Sequence, residues 1–114
     1  MRIHYLEIVT PDVEGVCNTY TTATASSFGE PVPALGNARV AELVGGGMVG
    51  VRAPMHESET PVTRPYFLVD DIEAALAGAV AAGAEVAHPA LELPNLGTFA
   101  IYIQGGIHHG LWQL

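Results

Sequence analysis

Two stretches of this chain begin alike, and each begins with a residue that can do chemistry. His4 opens HYLEIVTPDVE, ending at Glu14, and Arg64 opens RPYFLVDDIE, ending at Glu73. In both, an ionisable residue precedes an aromatic, a β-rich run and acidic residues placed to start a helix. A neutral imidazole takes a proton near pH 7 or ligates a metal. A guanidinium stays protonated and offers only donors, in a fork that matches a carboxylate, phosphate or enolate oxygen.

Laying Val9 on Val69 puts His4 on Arg64 and Thr10 on Asp70, and matching Leu35-Gly36 to Leu96-Gly97 carries Arg52 onto Gln113. Strand side chains alternate between faces. Tyr66 is therefore expected to share a face with Arg64, and His109 and Leu111 with Gln113. On that reading Tyr66 donates a hydrogen bond to a ligand oxygen, and His4 or His109 serves as general base. The pair His108-His109 cannot chelate one ion, because adjacent strand residues point to opposite faces.

These positions need strands and helices to hold them. Ile3 to Val9 reads as a strand running into a helix, with Thr10 as N-cap, Pro11 at the first helical position and an apolar stripe of Val13, Val16, Cys17 and Tyr20. In the second copy, Phe67 to Val69 ends a strand and Asp70 with Glu73 resembles a capping box. Ile72, Ala75, Leu76, Ala79 and Val80 form the apolar face, and Gly83 the stop. Three β-like runs follow each helix. They are Glu30 to Pro33, Ala38 to Val44 and Met48 to Ala53 in the first copy, and Glu85 to His88, Thr98 to Gln104 and Ile107 to Leu114 in the second. Gly45-Gly46-Gly47 and Gly105-Gly106 form the hairpins. The acidic run HESETP, His56 to Pro61, reads as an exposed linker able to cover a site's mouth.

Composition narrows the partners. The 114 residues carry a formal net charge of -8, with Arg2, Arg39, Arg52 and Arg64 as the only fixed side-chain cations. Nucleic acid and anionic membrane surfaces need clustered cations, so neither is an expected partner. The absence of lysine excludes Schiff-base chemistry and a P-loop, and GGGMVG lacks the context of a phosphate loop. Cys17, the lone cysteine, forms no intrachain disulfide and reads as a small core residue. With 49% apolar residues and no membrane-length run, the chain is expected to be a soluble cytoplasmic protein with a packed core.

A doubled βαβββ order, His4 near the start of the first strand and the closing GLWQL resemble the vicinal-oxygen-chelate superfamily, which includes glyoxalase I, bleomycin-resistance proteins and extradiol dioxygenases. The resemblance covers the whole chain. It implies an α+β fold in which two βαβββ modules, 1–55 and 62–114 within one domain, form curved mixed sheets around a cup that holds a small molecule. It also implies a homodimer, since open sheets leave edges to be closed by a second chain. Metal-using members draw ligands from the first and last strand of each module, which here means His4, Arg52, Arg64 and Gln113. Two arginines in such a set repel a cation, so no metal and no cofactor are expected. The ligand is instead expected to be a small anionic or carbonyl-bearing molecule bound by Arg52, Arg64, Gln113 and Leu111. The alternatives are a metal-dependent lyase or dioxygenase built on His4, Gln113 and a further ligand such as His109, and a drug-sequestering protein without catalysis.

Overall fold

The computed structural model describes residues Met1–Leu114. In chain order it contains β1 (Ile3–Val9), α1 (Val13–Thr24), a single 3-10 turn at Pro33–Leu35, β2 (Arg39–Glu42), β3 (Met48–Arg52), β4 (Val62–Leu68), α2 (Ile72–Ala81), β5 (Glu85–Leu93), β6 (Gly97–Gln104) and β7 (Ile107–Gln113). The chain divides into two compact units: the first is Tyr5–Thr63, and the second is Arg64–Leu114 together with Met1–His4. Each is α+β with a mixed sheet, as the repeat implies.

The units share a topology. In the first, β3 runs parallel to β1 and antiparallel to β2. In the second, β7 runs parallel to β4 and antiparallel to β6, which in turn pairs antiparallel with β5. Parallel pairing of first and last strands follows from the helical crossover between them. The first unit lacks the extra strand expected at Glu30 to Pro33: only Val32 bridges, to Ala38. Pro31 and Pro33 have no N–H to give a ladder, and Pro33 instead opens the 3-10 turn.

Both helices start one or two residues later than the sequence reading has them. The Asp12 carboxylate accepts from Gly15 N at 3.0 Å and caps α1, while Thr10 Oγ1 accepts from Asp12 N at 3.1 Å. Pro11 therefore precedes the cap. In α2 the cap is Asp71, accepting from Ala74 N at 3.1 Å, and Asp70 stands outside the helix. Gly83 follows the helix at a φ of +108°, a conformation open to glycine.

Each helix covers one face of its sheet. Cys17 of α1 packs on Ile8, Ala41, Val49 and Val51 of the sheet, with Leu6, Val13, Val16, Tyr20 and Phe28 around them. Ile72 and Leu76 of α2 pack on Ala100 and Leu111, with Val69, Ala75 and Tyr102 beside them. Alternation along the strands sends Tyr5, Glu7 and Arg52 in one unit, and Arg64, Tyr66 and Trp112 in the other, to the face away from the helix. No helix of the chain is long and apolar enough to cross a membrane.

Candidate functional site

The helix-free face of the second unit gathers the residue types that recognise oxygen and rings. Arg64, on β4, is buried, with 8% of its surface exposed. Its Nη2 lies 3.3 Å from Nδ1 of His108 on β7. A guanidinium can only donate, so Nδ1 is the acceptor in this contact. Tyr66 follows on the same face and meets the Trp112 ring edge-on, centroids 5.9 Å apart at 90°, and the Phe99 ring at 6.1 Å and 77°. The His4 ring sits 5.5 Å from Trp112. Burial, and secondarily the charge of Arg2, lower the pKa of His4 and favour its neutral, proton-accepting form.

Glycine makes this packing possible. Tyr66 stands opposite Gly110 in the β4–β7 register, and a Cβ on Gly110 would collide with the Tyr66 ring. A glycine inside a strand marks such a close approach. The first unit repeats the device, with the Tyr5 ring and hydroxyl occupying the space a Cβ on Gly50 would need.

Three residues expected on the Arg64 face are on the opposite one. With Tyr66 beside Gly110 and Phe67 beside Leu111, the side chains of His109, Leu111 and Gln113 point to the α2 side. Leu111 is core beneath α2. The side-chain oxygen of Gln113 accepts from Ile72 N at 2.8 Å, satisfying an amide at the start of α2. His109 stacks on Tyr102 at 5.0 Å and 19°, and its Nε2 is 3.0 Å from Gln104 O.

Sequence reasoning passed over His108 and Trp112 in favour of their neighbours. Gly110 was the available signal, since it marks the strand face that the aromatic crosses. Placing cap on cap, Asp12 on Asp71, superposes Tyr5 on Arg64 and Glu7 on Tyr66, and placing Gly50 on Gly110 superposes Arg52 on Trp112. The structural repeat is thus one residue out of step with the sequence alignment at both ends.

Arg52 has a different setting. It is 4% exposed, and its Nε donates to Glu7 Oε2 at 2.8 Å. Nη1 donates to Glu59 Oε1 at 2.9 Å and to Ala53 O at 3.1 Å, and Nη2 donates to Glu59 Oε2 at 2.6 Å. Met55 N adds a bond to Glu59 Oε1 at 2.7 Å. The Arg52 guanidinium holds Glu59 at about 2, well below the usual carboxylate range. Glu59 belongs to the run expected to be a solvent-facing linker. His56, Glu57 and Ser58 are indeed exposed, but Glu59 turns inward because Arg52 needs a counter-charge.

The metal of some vicinal-oxygen-chelate proteins does not fit these residues. Tyr5, Arg52, Arg64 and Trp112 hold the equivalent places on the first and last strands. Arg and Trp have no lone pair to give, and burial raises the Tyr5 pKa, keeping its phenol protonated. No three of the His, Cys, Asp and Glu side chains converge on one point.

No family model and no curated protein matches the sequence. Solved structures do match in shape. A hypothetical protein from Bacillus halodurans C-125 aligns over 99% of this chain and 94% of its own at a TM-score of 0.75 and 12% identity. Methylmalonyl-CoA epimerase from Mycobacterium tuberculosis aligns over 97% and 86% at 0.76 and 14%. A Streptomyces coelicolor methylmalonyl-CoA epimerase variant in complex with 2-nitronate-propionyl-CoA aligns over 99% and 96% at 0.71 and 16%. The fold is that of the vicinal-oxygen-chelate proteins.

Proposed function

We propose that the helix-free face of the second unit binds a small organic acid or carbonyl compound without a metal, with Arg64 taking its negative oxygen. The observation that carries this reading is a buried guanidinium set beside the His108 ring and a bank of aromatic rings. A planar oxyanion suits the Arg fork, and a dry setting strengthens the pairing. The epimerase structures of this fold hold methylmalonyl-CoA and 2-nitronate-propionyl-CoA, whose head groups pair carbonyl with anionic oxygens. That chemistry supports the same ligand class here.

If the compound is turned over, these side chains are equipped for proton transfer. His4 in its neutral form accepts a proton from carbon beside a carbonyl, and Arg64, Tyr66 and the Nε2–H of His108 donate to the oxygen that gains charge. Binding without turnover is the second reading, favoured by the three rings of Tyr66, Phe99 and Trp112, which suit a flat apolar guest. Recovery of the ligand unchanged after long incubation separates the two.

Calorimetry against a panel of keto and hydroxy acids tests the proposal. Arg64→Met should weaken the best ligand by roughly 10- to 150-fold, the worth of a hydrogen bond to a charged group. An unchanged affinity in that variant would sink it. We also propose a soluble cytoplasmic homodimer: β5 ends its unit's sheet with Val86 and Leu91 about half exposed, an edge that a second copy can cover. Light scattering that reports a monomer would remove this part.

A further inference from the structure

We propose that Arg52 and the Met55 N–H form a second oxyanion receptor, specific for a small carboxylate, that is filled in this structure by the chain's own Glu59. The inference is independent of the Arg64 site, since every group it uses lies in the first unit.

Two features define a receptor rather than an ordinary ion pair. Arg52 presents Nη1 and Nη2 side by side to the two Glu59 oxygens, at 2.9 and 2.6 Å, and Met55 N adds a third donor to the same carboxylate at 2.7 Å. This is the end-on fork by which arginine binds a free carboxylate, completed by a backbone amide. The cradle is also fixed without Glu59. Glu7 holds Nε from the opposite side, Ala53 O holds Nη1, and the Arg52 side chain packs beside Gly36. Removing Glu59 therefore leaves the Arg52 fork aimed at one spot.

The occupant sits on a loop that is lightly tied. His56, Glu57 and Ser58 are exposed, and their hydrogen bonds stay inside the loop: Glu59 N donates to His56 O at 3.1 Å, and Ser58 Oγ lies 2.7 Å from His56 Nδ1. The Glu59 carboxylate is thus the loop's main anchor, a latch that a carboxylate with equal geometry can replace. Because it shares a chain with Arg52, its effective concentration is high, so a monocarboxylate displaces it poorly from the native protein. Once the latch is removed, the receptor accepts one from solution.

The test uses the full chain with sodium acetate as the probe and sodium chloride at equal ionic strength as the control. Glu59→Ala should gain at least about tenfold in apparent acetate affinity over the native protein, with a matching acetate-dependent rise in melting temperature. The double variant Glu59→Ala with Arg52→Met should respond alike to acetate and chloride. Should Glu59→Ala not fold, Glu59→Gln keeps the side chain's size while losing the charge, and it too should respond to acetate above chloride. A folded Glu59 variant that makes no distinction between the salts overturns the proposal, as does a double variant that responds to acetate as strongly as the single one.

Discussion

Arg52 and Arg64 are both buried guanidinium groups on the helix-free face of a mixed sheet, and their surroundings give them different work. Arg52 is gripped by Glu7 and Glu59, and carboxylates cancel its charge and spend its donors inside the chain. Arg64 stands beside a ring nitrogen of His108 and shares its sheet face with the Tyr66 and Trp112 rings. A buried arginine is thus read from its partners before its position. The first is a structural node bonded to two carboxylates, and the second, set against aromatic rings, is the contact proposed for a ligand from outside.

Substitution of the two arginines by methionine probes that contrast most strongly. Arg52→Met takes from Glu7 and Glu59 the guanidinium that both bond and should cost about 3–5 kcal/mol of stability, measured by urea denaturation. Arg64→Met should lose ligand affinity. Affinity kept in Arg64→Met and lost in Arg52→Met would erase the distinction.

Next in size are the two crossing points of tyrosine over glycine. Gly110→Ala and Gly50→Ala each push a methyl into an aromatic ring that cannot easily move, at about 1–3 kcal/mol. Gly110→Ala should also weaken ligand binding by displacing Tyr66, whereas Gly50→Ala should not. Smaller still are the helix caps, where Asp12→Ala and Asp71→Ala should each cost about 1 kcal/mol. Asp70→Ala, outside the cap, should cost less than Asp71→Ala.

The subtlest signal is in acid. Glu59 is held at about 2 in the folded chain against an ordinary 4.5. Its contribution to stability is therefore complete above the unfolded value and drains away as pH falls from there toward about 2. Glu59→Gln should flatten the stability profile across that window, and no other part of the Arg52–Arg64 contrast should change with it.

Much of this architecture was legible in the residues. The doubled order, both helices, the glycine hairpins and most strands follow from periodicity and turn chemistry. Two things were not. Gln113 and His109 were assigned to the wrong face because the repeat alignment crosses glycine-rich sequence, and in a strand a slip of one residue inverts every side chain. The caps Asp12 and Asp71 lie two residues and one residue past the aligned Thr10 and Asp70, and this unequal offset is where the slip begins. The Arg52–Glu59 latch was hidden because an acidic, proline-bounded run reads as solvent-facing. Only the burial of its partner, invisible in one dimension, draws Glu59 in. What composition did offer was twelve acidic residues against four arginines, an excess from which Arg52 draws two carboxylates.

The most direct measurement is a crystal structure of the chain with the tightest-binding acid from the calorimetric panel. The expected result places an oxygen of that acid within hydrogen-bond reach of the Arg64 guanidinium, against the rings of Tyr66 and Trp112. An acid found on the α2 side of β7, beside Gln113 or His109, with the Arg64 guanidinium untouched, would contradict the account.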